Sequence, residues 1–263
     1  EEGLRNGRWV ALSYSASGHL MEANGVPEPT FMEVDRFAQP QSFCLNVDGQ
    51  DMHSHWLYEG FEREERGGAV HACATLRHAV RPVRVRVRTL LDGTPVLVRS
   101  IEVENLGGSP AALAALAPLS GGLQRQNYAR YHLRGERAAG APYRLGYMRG
   151  SRLLTEGDFG WMDLPDGVFA VCGRFRRQRH RHPMFVLENN WTGETFIGQF
   201  AWSAGYAFEF DLNREEEDCA ALSLKVMLDA PAPIKVLSPG DSYRSPEVHL
   251  GAVFGGLDAA VQA

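Results

Sequence analysis

Lysine is nearly absent: it stands only at 225 and 235 among 27 basic residues, and arginine supplies the rest. With 32 acidic residues the formal net charge is −5, so no overall positive field favours nucleic acid or an anionic membrane. No stretch reaches the roughly eighteen consecutive apolar residues of a spanning helix. The acidic start Glu1-Glu2-Gly3 lacks the apolar core of a secretion signal, which gives a cytoplasmic location as the expectation. The four cysteines, at 44, 73, 172 and 219, are scattered without a Cys-x-x-Cys. That excludes a zinc knuckle or a thioredoxin-like site. Each lies in or beside an apolar run, so free buried thiols are expected. His53-x-His55 and His180-x-His182 place two imidazoles on one face of a strand. Nothing brings the two pairs together, so they are read as polar faces, and no metal or cofactor is expected.

What the chain has is short alternating runs punctuated by turns. At 263 residues, 44 % hydrophobic and 22 % charged, it fits one large globular domain over residues 1–263. Asp48-Gly49 between apolar alternations is a hairpin signal. Residues 69–78 alternate as a strand. Over 82–104, Val83, Val85 and Val87 alternate with Arg84, Arg86 and Arg88, then Asp92-Gly93 turns the chain. The arginine row could face a nucleic acid, but Glu102 and Glu104 on the returning strand can pair with it. Residues 111–119 are Ala/Leu-rich and helical by propensity, yet their neighbours argue for a strand. Further strands are read at 128–134, 153–161, 168–175, 220–228 and 234–237, with a Gly-rich bend and a short helix at the end.

The organising stretch is 180–211. Met184–Leu187 reads as a strand, Glu188–Glu194 as a turn, and Thr195–Asp211 as one long strand interrupted by Gly198 and Gly205. Glycine inside a strand signals a bulge or a close backbone approach. Tyr206, Phe208 and Phe210 fall on one face, with Ala207, Glu209 and Asp211 on the other. Fifteen or so short strands with few helices and no fixed repeat predict an all-β fold, a large antiparallel two-sheet sandwich.

The same stretch resembles the N-terminal β-sandwich of the glycoside hydrolase family 36 α-galactosidases. The residues that carry the likeness are His182, Pro183 and Phe185, then Gly198, Phe200, Ala201, Trp202 and Ser203, with Ala204 where that family has glycine. Three more blocks follow its order: Asp35, Arg36, Phe37 and Pro40 with the Asp48-Gly49 turn; the hairpin from Thr89 to Asn105; and Pro239-Gly240-Asp241 leading to Pro246-Glu247-Val248. The resemblance implies a supersandwich of the galactose-mutarotase type that precedes a catalytic (β/α)8 barrel. It implies a non-catalytic role here: packing on the barrel, aiding a homo-oligomer and lending a loop to an α-galactoside pocket. In that family the nucleophile sits in a Lys-x-Asp motif. Lys225 is followed by Val226-Met227 and Lys235 by Val236-Leu237, so no such motif exists in this chain.

The candidate substrate-binding residues are therefore Asp35 and Arg36, on the loop that the resemblance aims at the sugar, and Trp191, in a polar turn beside Asn189, Asn190 and Thr192. Trp56, Trp161 and Trp202 could also stack on sugars, and Trp202 is expected in the core. The basic run Arg174–Arg181 could touch a phosphate and is read as a solvated face. No catalytic residue, nucleic-acid partner or membrane partner is expected. Two other functions stay open: a stand-alone carbohydrate-binding module, and an aldose-epimerase-like enzyme using His132 or His182 with Glu188.

Overall fold

A computed structural model of the chain describes residues 2–11, 14, 41–127, 140–150, 158–174, 181–216 and 219–262. The expected strand at 128–134 and the first five residues of the one at 153–161 lie outside them, as do Asp35, Arg36, His132 and His180.

The alternating runs become strands throughout. β1 (Glu2–Arg5) and β2 (Arg8–Ala11) form a hairpin. β3 (Cys44–Val47) and β4 (Gln50–Asp51) form another. The turn between them has Asp48 and Gly49 at φ 53° and 78°, the left-handed pair that the Asp-Gly dipeptide favours. Four long strands follow as a meander: β5 (Trp56–Arg66), β6 (Ala69–His78), β7 (Val83–Leu91) and β8 (Val96–Asn105). β9 (Ala111–Ala117) is a strand against its own helical propensity, because it pairs with β3.

The second half gives β10 (Leu119–Asn127), β11 (Tyr143–Met148), β12 (Phe159–Asp163), β13 (Gly167–Gly173) and β14 (Met184–Asn189). It continues with β15 (Glu194–Phe200), β16 (Tyr206–Glu216), β17 (Cys219–Leu228), β18 (Lys235–Leu237), β19 (Ser242–Arg244) and β20 (Val248–Phe254). A single short helix, α1 (Leu257–Gln262), closes the described chain after Gly255-Gly256.

A ten-stranded antiparallel sheet, in the order β12-β11-β14-β15-β20-β8-β7-β6-β5 with β19 also on β8, forms one layer. The other is built from two four-stranded sheets, β10-β17-β16-β13 and β18-β9-β3-β4, which meet where β17 lies against β9. The aromatic row Tyr206, Phe208 and Phe210 is fully buried, as the alternation predicts. Phe185 of β14 meets Phe208 and Phe210 edge-on across the layers, at 5.2 and 5.0 Å between ring centroids. The fold is the expected all-β sandwich.

One expectation needs correction. Thr195–Asp211 is two strands, β15 and β16, and they belong to different layers. The chain crosses over at Ala201–Gly205. Trp202 pins the crossing by donating from Nε1 to the Gly205 carbonyl at 3.2 Å while its ring packs on the core. Gly205 fits only because it has no side chain: an added Cβ would land inside contact distance of the Asp229 carbonyl oxygen. Gly205→Ala should destabilise the fold by about 3 kcal/mol, the upper end for forced overpacking, because backbone rather than a side chain must move. Urea unfolding measures it, and a loss below about 1 kcal/mol would contradict the close approach.

The valine/arginine strand behaves as its pattern says. Val83, Val85 and Val87 are buried, while Arg84 and Arg86 stand directly across from Glu104 and Glu102. Arg86 reaches Glu102 at 3.1 Å and Arg88 reaches it at 2.8 Å; Arg84 also holds Glu59 at 2.9 Å. Burial alone would raise the Glu102 carboxyl, but Arg88 and Arg86 override it and hold it below the usual carboxylate range. The hydrogen bond from Arg84 lowers Glu59 likewise. A carboxylate whose folded pKa is depressed stabilises above its unfolded pKa and loses that contribution as pH falls through the folded one. Stability should therefore decline below pH ~4, and Glu102→Gln should flatten the decline. A pH series of denaturation midpoints checks this, and identical profiles for the two proteins would contradict it.

At the other side of the core, Arg99 of β8 is 2 % exposed and ion-paired with Glu2 of β1 at 2.5 Å. Glu2 also accepts from the Trp9 indole and the Tyr14 hydroxyl, each at 3.1 Å, while Arg99 donates to Ser42 at 3.1 Å. The first hairpin is thus tied to the large sheet through a buried charge pair. Burial, reinforced by Glu2, pushes the Tyr14 hydroxyl up.

Candidate functional site

The polar turn that joins β14 to β15 carries a buried polar cluster. Its centre is Gln124 of β10. Gln124 donates to Glu194 at 2.5 Å, and its carbonyl oxygen accepts from Asn189 at 2.7 Å and from Tyr143 at 3.3 Å. The Asn189 side-chain oxygen accepts from the backbone N–H of Trp191 at 2.9 Å and of Thr192 at 3.2 Å. Thr192 donates to Glu194 at 3.3 Å. Gln124, Tyr143, Asn189 and Glu194 are all buried, and four strands, β10, β11, β14 and β15, meet there. The sequence Glu-Asn-Asn-Trp-Thr-Gly-Glu folds this way because Asn189 replaces the missing strand partner with its own amide, while Gly193 at φ 73° completes the turn.

This arrangement fixes what the turn can do. It presents one carboxylate among amides and hydroxyls. A retaining glycosidase needs two carboxyl groups about 5 Å apart, one of them protonated; among the described residues the hydrogen bonds of the cluster hold the Glu194 carboxylate. Its hydrogen bonds position a turn. Asn189→Ala would strip the acceptor from one buried and one part-buried backbone N–H group, at a cost of about 2–3 kcal/mol. For a domain of this size that is a melting-point loss of roughly 4–12 °C, readable by calorimetry, and a loss under 1 °C would contradict the role.

Trp191 is 7 % exposed and belongs to the core, so the expectation of an exposed ring in this turn is corrected. The Asn189 hydrogen bond to the Trp191 N–H folds the turn inward, and the indole follows. Asp35 and Arg36 lie outside the described residues. Trp56 is 1 % exposed in the core, and Trp202 is partly buried against it, as expected. Trp161 on β12 carries the Arg144 guanidinium at 4.8 Å from its ring centroid, and Phe159 meets it edge-on at 5.4 Å.

The epimerase pairing does not assemble from its described members. His182 precedes β14 and Glu188 lies near the other end of that strand, six residues on, roughly 20 Å apart in extended chain. Glu188 faces Arg144 at 3.7 Å. Of the basic run, Arg174 pairs with Asp229 at 2.7 Å, and Arg181 stands over Tyr147. Among the described residues no group of three or more His, Cys, Asp or Glu could hold a metal ion. Cys44 and Cys73 are half-buried and free, but Cys172 is exposed, contrary to the expectation of burial for all four. It shares the exposed face of β13 with Val168 and Ala170, while its neighbours Val171 and Gly173 are buried. Burial raises the pKa of all three thiols, the reverse of an activated nucleophile.

No protein-family model matches the chain, and no curated protein matches it. Solved structures do. The galactosidase domain of the α-galactosidase-sucrose kinase AgaSK superposes with a TM-score of 0.71 at 16 % identity, over 96 % of this chain and 39 % of that one. The chain has the fold of an α-galactosidase sandwich. A variant of the GH36 α-galactosidase AgaA from Geobacillus stearothermophilus, in complex with 1-deoxygalactonojirimycin, gives 0.70 at 16 % identity over 98 % of this chain and 40 % of that one. The α-galactosidase from Lactobacillus brevis gives 0.63 at 13 % identity, over 84 % and 30 %. The chain spans about two-fifths of the length of the first of these neighbours.

Proposed function

We propose that this chain is the non-catalytic sandwich of an α-galactosidase-type glycoside hydrolase. It packs on a catalytic barrel, supports an oligomer and lends the Asp35–Arg36 loop to an α-galactoside pocket. The observation that carries the reading is the uneven coverage: the fold match takes in 96 % of this chain but 39 % of its neighbour. Trp191 is 7 % exposed, so Asp35 and Arg36 carry the pocket part of the proposal.

The test has two arms. The purified chain is incubated with a nitrophenyl α-galactoside, and no turnover above a buffer blank is expected; turnover that follows the chain through purification would overturn the reading. In the barrel-bearing protein, Asp35→Ala and Arg36→Ala should each lower kcat/KM by roughly 10- to 100-fold, the loss of a charged hydrogen bond to a hydroxyl. Unchanged kcat/KM in both would remove the loop from the pocket. Calorimetric binding of galactosides to the chain alone would favour a stand-alone binding module instead.

A further inference from the structure

Arginine on this sandwich is generally ion-paired: Arg77, Arg84, Arg86, Arg88 and Arg174 each hold a carboxylate. Arg149 and Arg181 differ. Among the described residues neither guanidinium pairs with a carboxylate, yet both are held in place at the end of β11. Asp158 lies beside Arg149, but it accepts the Arg149 backbone N–H through its own backbone carbonyl, at 2.7 Å, and makes no ion pair with the guanidinium.

The fold positions both groups. Gly173 of β13 has no side chain, so the Tyr206 ring crosses the space that a Cβ would take. The Tyr206 hydroxyl then lies 2.9 Å from the carbonyls of both Arg181 and His182 and ties down that stretch of backbone. From there the Arg181 side chain turns over the Tyr147 ring, 5.8 Å from its centroid, and donates from Nε to the Arg149 carbonyl at 3.2 Å. Arg149 donates in turn from Nη2 to the Trp161 carbonyl at 2.8 Å. Its guanidinium lies against Gly160 of β12, where a Cβ would collide with it. Each guanidinium spends one N–H on a backbone carbonyl, and its other donors have no partner among the described residues.

Two neighbouring cations without a counter-charge repel one another. Donors held by their own supporting contacts are what an anion site needs. The two forks arrive from different segments, one after β11 and one before β14. A carboxylate has its oxygens in one plane and suits a single fork, whereas a phosphate or sulfate group has oxygens for both. The rings beside the pair are already stacked, Tyr147 under Arg181 and Trp161 under Arg144, so a nucleobase would have to displace a guanidinium to stack there. The local charge agrees: residues 144–181 carry eight arginines against four acidic residues, in a chain of net charge −5.

We propose that Arg149 and Arg181 bind a tetrahedral oxyanion, a phosphate or sulfate group that is either free or an ester on a sugar. The site goes beyond the proposed function, since neither arginine belongs to the Asp35–Arg36 loop. Failure to bind an oxyanion would overturn it and leave the non-catalytic reading standing.

Titration calorimetry of the 263-residue chain with inorganic phosphate at low salt should give a Kd of about 1 mM or tighter, weakening as sodium chloride is raised. Inorganic sulfate should compete. Arg149→Gln and Arg181→Gln should each weaken binding by about tenfold or more, the loss of charge-assisted hydrogen bonds. Arg149 is exposed, so R149Q should fold as the parent does, and circular dichroism checks it. Arg77→Gln removes an arginine from β6 and should leave the Kd unchanged. A hexose phosphate separates the two sources, with the unphosphorylated hexose as blank. A tighter Kd than that of inorganic phosphate assigns the ester, and an equal or weaker one assigns the free ion. No binding up to roughly 10 mM phosphate, a Kd that either R149Q or R181Q leaves unchanged, or one that R77Q weakens as much as R149Q does, would each overturn the assignment.

Discussion

Arg99→Ala should destabilise the fold by about 3–5 kcal/mol, the range for removing one partner of a buried ion pair. Arg99 is 2 % exposed, and the Glu2 it meets also holds the Trp9 and Tyr14 side chains. Removing the guanidinium leaves a carboxylate with two neutral donors in a site where its side chain is only 16 % exposed. The reciprocal change, Glu2→Ala, strands a buried cation and should cost a similar amount. The two losses should not add. Once one charge is gone, removing the other relieves the unpaired group, so the double variant should lie closer to either single variant than to their sum. Arg99→Met with Glu2→Gln should recover much of the loss, because apolar packing replaces the pair without a stranded charge. Urea denaturation of the four proteins measures the cycle. Additive losses of under about 1 kcal/mol each, the scale of an exposed pair, would show that water reaches this site.

The sequence carried no hint of this pair. Glu2 and Arg99 lie 97 residues apart, and arginine at position 99 sits in a strand whose alternation reads like that of its neighbours. Long-range charge pairing leaves no periodic trace. Local order was legible because it is local. The Asp48-Gly49 turn, the Val/Arg alternation of β7 and the aromatic row of β16 each follow from steric or burial rules acting within a few residues. β9 shows where propensity yields: Ala111–Ala117 is helix-prone in isolation, yet β3 and β18 flank it and supply its hydrogen bonds. The break of 195–211 into two layers was not legible, because Gly205 gives the same signal for a bulge within a strand as for a crossing between layers. What separates them is the Asp229 carbonyl, which arrives from β17's far end. Trp191 misled for a related reason. Its neighbours are polar, but their polarity is spent inward, on Gln124 and on the turn's own backbone.

Phe185 and Gly198 offer the sharpest test of how the two layers lock. They stand directly opposite one another on β14 and β15, and the Phe185 ring lies over Gly198 while its edges meet Phe208 and Phe210 of the second layer. Phe185→Ala removes a fully buried ring and two edge-on contacts, for an expected loss of about 3–5 kcal/mol. Gly198→Ala forces a Cβ into the ring, which cannot swing away because the opposite layer holds it, and should cost about 3 kcal/mol. In the double variant the new methyl enters space that the ring has vacated. Its cost should therefore fall to that of Phe185→Ala or below, giving a coupling of about 2–3 kcal/mol between the sites. A ring that shields a glycine and wedges between two others makes both residues depend on one another, and neither can be exchanged alone. Calorimetry on the four proteins reads the coupling directly. Additive losses would mean that the ring has room to move, and that the layers are held by something other than this wedge.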